Sequence, residues 1–103
     1  RLYVTDYNDW YAYVWDIASR SVVNYHYSPT PEGMAIDTVS KRIYITSYDS
    51  DQIVEVDATT DGSIQYLNVG SGTSQVGVLR GGRKVFFNTY SAAGASDVKL
   101  LKY

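Results

Sequence analysis

The feature that most constrains this chain is that it copies itself. Arg1-Leu2-Tyr3-Val4-Thr5-Asp6-Tyr7-Asn8 returns 41 residues later as Arg42-Ile43-Tyr44-Ile45-Thr46-Ser47-Tyr48-Asp49. It returns again, 42 residues further on, as Lys84-Val85-Phe86-Phe87-Asn88-Thr89-Tyr90-Ser91. Each copy reads basic, aliphatic, aromatic, apolar, polar, polar, Tyr, polar. The register holds downstream, where Tyr13-Val14-Trp15-Asp16 aligns with Val54-Glu55-Val56-Asp57. It also holds upstream of the later copies, where Met34-Ala35-Ile36 aligns with Val76-Gly77-Val78. A unit repeated at this spacing cannot bury its apolar face alone and has to stack on its neighbours.

The unit is made of strands. Helical patches at i, i+3 and i+4 are absent, and apolar residues alternate within each copy. Val and Ile outnumber Leu by 18 to 5, and Tyr alone supplies 11 of the 103 residues. Stiff β-branched and aromatic side chains suit a pleated, half-buried surface. Asp outnumbers Glu by 9 to 2, which favours turns over helices. Strands are expected near residues 1–6, 11–16, 21–27, 33–37, 42–47, 52–57, 63–69, 75–80, 84–89 and 97–103. A period of about 40–45 residues holding four short strands is the signature of a β-propeller blade.

Two motifs strengthen this reading. Leu2-Tyr3-Val4-Thr5-Asp6 and Ile43-Tyr44-Ile45-Thr46-Ser47 resemble the strand motifs of YVTN and YWTD propeller repeats. Pro31-Glu32-Gly33-Met34-Ala35-Ile36-Asp37 is similar to the inner strand shared by YVTN, YWTD and NHL repeats. Val4, Ile45 and Phe87 stand where YWTD has its Trp, which brings the chain nearer to YVTN. The resemblance implies an all-β fold of four-stranded antiparallel blades. It also implies a range of roles: receptor modules, surface-layer proteins, scaffolds, lectin-like binders and lactonases.

With strands named A to D from the inside of a blade outward, the chain divides into a partial blade (1–30), a complete blade (31–70) and a second partial blade (71–103). Ten strands make about two and a half blades, whereas closed propellers have about 4–8. The expectation is therefore an incomplete propeller whose partner is the remaining propeller polypeptide, from the same or another chain. An open strand edge and uncovered blade faces attract such partners. Leu2, Val4, Ile36, Ile43, Ile45, Val54 or Val56, Val78, Val85 and Phe87 are expected to be buried between blades.

Antiparallel turns sort the loops onto two ends. One end collects Tyr7, Asn8, Asp9, Trp10, Tyr48, Asp49, Asp51 and Tyr90, with Glu32 close by on the first strand of blade two. It is acidic and aromatic, and it is the candidate ligand-binding face, for a protein or a glycan. Tyr7, Tyr48 and Tyr90 share one repeat position, so they are either a ring of phenols round a funnel or tyrosines packed over neighbouring loops. Trp10 and Tyr11 occur once, opposite Asp51 and Gln52, which scaffold duty does not explain. Asp6, Asp9, Asp49 and Asp51 break the calcium-loop pattern and read as turn formers. The other end holds Ser19-Arg20, Thr38 to Lys41, Thr59 to Gly62 and Arg80 to Arg83, and is basic and plain.

Several classes fall away. A net charge of −2 argues against nucleic acid or an anionic membrane as a partner, and no apolar run approaches the roughly 18 residues of a span. The absence of Cys removes thiolate catalysis and cysteine-held zinc. His26, between two tyrosines on an outer strand, is expected to be exposed and not catalytic. No cofactor is expected, and the setting is read as extracellular or cell surface. The reading is a non-enzymatic interaction module. The alternative is part of a metal-dependent, lactonase-like hydrolase, to which Glu32 would give a ligand.

Overall fold

The computed structural model describes the backbone of residues 1–70, 72–79, 84–90 and 96–102, and side chains up to Thr89. Among them there is no helix. Three antiparallel sheets follow one another along the chain. The first contains β1 (Leu2–Thr5), β2 (Tyr11–Asp16) and β3 (Ser21–Tyr27) in that order. The second contains β4 (Pro31–Asp37), β5 (Arg42–Ser47), β6 (Gln52–Asp57) and β7 (Ser63–Asn68). The third contains β8 (Gly72–Leu79), β9 (Lys84–Tyr90) and β10 (Ser96–Lys102). The architecture is all-β and open, an incomplete propeller.

The repeat extends to irregularities that no residue pattern announced. The β2–β3 ladder shifts register between Val14 and Trp15, and β6–β7 shifts at the equivalent Glu55 and Val56. The inner pairs β4–β5 and β8–β9 both bulge, between Pro31 and Met34 and between Thr73 and Val76. Arg20 and Asp61, also equivalent, both take positive φ (55° and 61°) in the β2–β3 and β6–β7 turns. Bulges sharpen the local twist that lets blades fan round an axis.

Alternation then delivers two apolar seams. Ile43, Ile45, Val54 and Val56 face the first sheet and pack on Ala12 and Tyr3. Tyr44 and Ile53 face the third sheet and pack on Val85, Phe87, Val76 and Val78. Gly72 is required where β8 begins, since a Cβ there would stand 2.1 Å from the Tyr48 carbonyl oxygen.

Three expected core residues are not buried. Leu2 is 50% exposed, Val4 41% and Ile36 53%, although Ile43 and Ile45, at the repeat positions of Leu2 and Val4, are sealed. Leu2 and Val4 point away from the second sheet, where the described residues put nothing, and Ile36 overlooks the inner flank of β1. Val78 is only half-buried. His26 departs in the other direction. Although β3 is an outer strand, His26 is turned toward the second sheet and is 4% exposed.

Candidate functional site

The loops gather at one end as turn alternation requires, and the 28–30 linker stitches them together. Ser28 N–H donates to the Trp10 carbonyl (2.9 Å) and Thr30 N–H to that of Asp9 (3.0 Å). Tyr48 N–H donates to the Thr30 carbonyl (3.1 Å), and the Thr30 hydroxyl reaches the Asp49 carboxylate. The Ser47 hydroxyl meets the Pro29 carbonyl, and the Ser28 hydroxyl that of Thr46 (3.1 Å). Asp51 contributes its carbonyl, accepting from Val69 N–H at 2.8 Å. The first two sheets thus share one continuous, hydrogen-bonded rim.

The acidic residues are spent on turns. Asp6 accepts from Asn8 N–H (3.0 Å), and Asp9 accepts from Trp10 N–H and the Tyr13 hydroxyl, both at 2.6 Å. The Tyr13 hydroxyl, then the Trp10 amide, hold the Asp9 carboxyl below its ordinary range, while the same bond raises the Tyr13 phenol. Among the described residues, no three His, Asp or Glu groups cluster closely enough to hold a metal. Asp37, the other acid of β4, is buried and receives the Val39 and Ser40 amides. Glu32 is exposed, and its carbonyl accepts from Thr5.

Tyr7 and Tyr48 do meet, with ring centroids 6.1 Å apart at 57°. Tyr90 lies on β9, but its side chain is outside the described residues. Trp10 is 60% exposed and stacks on Tyr27 (6.4 Å, 21°). From Tyr27 the patch continues through Tyr11 (5.8 Å) to Tyr25, which meets Tyr11 edge-on at 5.2 Å. Tyr13 completes it, 6.4 Å from Tyr11. The aromatic surface therefore turns the corner from the rim onto the outward face of the first sheet.

Sequence reasoning singled out Trp10 and Tyr11 but missed Tyr13, Tyr25 and Tyr27. The signal was present, because Tyr11 and Tyr13 alternate on β2, and Tyr25 and Tyr27 on its cross-strand partner β3. A second polar centre also escaped it, at the other end. Asp61 receives Arg1 Nε at 2.7 Å and the Tyr3 hydroxyl at 2.5 Å, while its carbonyl receives Asn24 Nδ2 at 2.7 Å. Burial opposes Asp61 ionisation, but the bonds from Tyr3 and Arg1 outweigh it and hold its carboxyl below the ordinary range. Burial first, and then the bond to Asp61, push the Tyr3 phenol up.

No family model and no curated protein matches the chain. Solved structures do. Kuenenia stuttgartiensis hydrazine synthase superposes over 93% of this chain and 28% of its own, at 18% identity and a TM-score of 0.73. A luciferin-regenerating enzyme matches over 98% of this chain and 40% of its own (11% identity, TM-score 0.61). The WD40 repeats of RRP9 match over 98% and 38% respectively (13% identity, TM-score 0.56). These are β-propeller proteins, and the likeness is one of fold. The chain spans 28 to 40% of their lengths.

Proposed function

We propose that this chain is a propeller segment that binds a protein partner through the patch centred on Trp10 and Tyr27. One observation carries the reading. Trp10 is 60% exposed, braced by Tyr27 beneath and Asp9 beside it, at a position where the next repeat has Asp51. A large apolar side chain held still in water gains free energy only when something covers it, and Trp and Tyr are the usual anchors of protein interfaces. The patch is broad and open, with a shallow hollow of about 280 Å³ between Tyr11, Tyr13 and Tyr25. The cavity beneath the adjoining rim, lined by Tyr27, Ser28 and Pro29, measures only about 10 Å³, room for a water. That shape suits another protein surface better than an enclosed small molecule.

The test compares the wild-type chain with Trp10→Ala and Tyr27→Ala as baits in extracts of its source, and with the same variants on a glycan array. Both variants should melt within about 0.5 kcal/mol of wild type, since they remove exposed side chains. Proteins captured by wild type and lost by both variants support the reading. A partner retained by both would defeat it. A glycan is the second reading, favoured by the stacked Trp10–Tyr27 pair beside the Asp9 carboxylate, and the array separates the two.

A further inference from the structure

Three loops meet round Thr30. Its N–H donates to the Asp9 carbonyl at 3.0 Å, and its hydroxyl reaches the Asp49 carboxylate. Asp9 N–H in turn donates to the Asp6 carbonyl at 2.9 Å, within the β1–β2 turn. Across the junction Tyr7 packs on Tyr48, with ring centroids 6.1 Å apart. The linker therefore brings Asp6, Asp9 and Asp49 to one place, beside the rings of Tyr7, Trp10 and Tyr48. Their exposure does not depend on what adjoins the first sheet. Asp51, the repeat equivalent of Trp10, is exposed even though the first sheet packs on that flank of the second. The position stands above the seam.

Charge is one-sided here. Loops 6–10, 28–32 and 47–51 carry Asp6, Asp9, Glu32, Asp49 and Asp51 but none of the chain's 9 Lys and Arg residues. Among the described residues the ion pairs run from Arg1 and Arg42 to Asp16, Asp61, Glu55 and Asp57, and none reaches these loops. The donors that Asp6, Asp9 and Asp49 do meet are neutral: the Asn8 and Trp10 amides and the Tyr13 and Thr30 hydroxyls. A carboxylate bonded to neutral donors keeps its charge and still has lone pairs to give. By themselves these acids are turn formers. Trp10 makes a binding surface of them. It is 60% exposed, Tyr27 covers one face of its indole, and among the described residues no ring covers the other.

From this we infer that Trp10 and Asp9, with Asp6 and Asp49 around them, form a site for an arginine side chain of the protein partner. The inference rests on the docking role proposed for Trp10 and names the chemistry that Trp10 reads. A guanidinium is planar, so it stacks on an aromatic face while its N–H fork reaches a carboxylate at the edge of the ring. Here the open face of Trp10 is the platform. The Asp9 carboxylate, 2.6 Å from the Trp10 amide nitrogen, is the acceptor at its edge. Asp6 and Asp49 keep the surrounding potential negative. A lysine ammonium, compact and strongly hydrated, gains less from a flat ring and cannot bond a carboxylate in the same fork geometry.

The probe is a blocked pentapeptide of alternating glycine and arginine, titrated into the full chain and followed by NMR. It should shift the Trp10 indole N–H and the amides of residues 6–10 saturably, and leave the indole of Trp15 in place. The same peptide with lysine for arginine should bind about threefold more weakly. Trp10→Ala and Asp9→Asn should each weaken the arginine peptide by about fivefold. The lysine comparison leaves the protein untouched should Asp9→Asn disturb its turn. An unmoved Trp10, equal affinity for the two peptides, or shifts centred on Tyr11 and Tyr25 would overturn the proposal. The captured partner supplies a separate arm. A protein lost by Trp10→Ala but retained by Asp9→Asn would overturn the arginine site while leaving the docking role of Trp10 standing.

Discussion

The first and second sheets place the same residues differently round a single carboxylate. Arg1 and Arg42, Tyr3 and Tyr44, and Asn24 and Gln65 are equivalent pairs in the repeat. In the second sheet the acid is Glu55, from the middle of the sheet itself. It receives Gln65 Nε2 at 2.7 Å and the Tyr44 hydroxyl at 3.4 Å, with Arg42 Nε 3.5 Å away. In the first sheet Val14 occupies the place of Glu55, and the acid is Asp61, delivered from a turn of the second sheet. What recurs is an anion among Tyr, Arg and an amide: the phenol, shielded from water, needs an acceptor, and the partly exposed guanidinium beside it supplies the opposite charge. Where that anion originates decides whether the network stiffens one sheet or ties two together.

The largest expected effect separates the two sheets by burial. Ile45 is fully buried and Val4, its repeat equivalent, is 41% exposed. Ile45→Ala should cost about 3 kcal/mol in urea unfolding, whereas Val4→Ala should cost less than about 1 kcal/mol. Equal losses would mean that the outward face of β1 is covered in solution. Next comes the acid. Glu55→Gln should cost about 2 kcal/mol, because Arg42 loses the nearer of its two carboxylates and the buried Tyr44 hydroxyl loses a charged acceptor.

A transplant sharpens the comparison. Val14→Glu alone should destabilise, by setting a second carboxylate against Asp61. Combined with Asp61→Ala it should cost less than the sum of the two changes, by about 1 kcal/mol. Strict additivity would show that the two carboxylates do not serve one site.

The smallest effect is a pH dependence. His26 is buried, and among the described residues its Nε2 has no hydrogen-bond partner. Burial holds its imidazole below the ordinary value of 6.5, against the pull of the Asp61 backbone. The native state then resists a proton that the unfolded chain accepts, so this contribution is whole above pH 6.5 and declines as pH falls below it. His26→Leu should flatten the melting temperature over that acidic interval. Asp61 acts lower, because its depressed carboxyl contributes stability above the ordinary value of 3.8 that is lost as pH falls below it. An unchanged slope in His26→Leu would place the sensitivity elsewhere.

The sequence by itself determined the repeating unit, the strands and the division of loops between two ends. β2, β3, β5 and β6 begin and end where the alternation of apolar residues said they would, at 11–16, 21–27, 42–47 and 52–57. Alternation is a local property, written every second residue, and turns made of Asp, Ser and Gly punctuate it locally too. The tertiary structure decided everything that depends on which face meets which neighbour. Leu2 and Ile43 have the same local pattern, and among the described residues only Ile43 has a sheet in front of it. Asp61 reads as one turn residue among several until the fold brings Arg1 and Tyr3, some sixty positions away, to its oxygens. Tyr25 and Tyr27 join Trp10 only because β3 pairs with β2 and carries them to the same face. Burial and pairing across sheets are long-range quantities, fixed by the stacking of whole units, and no window of neighbouring residues contains them.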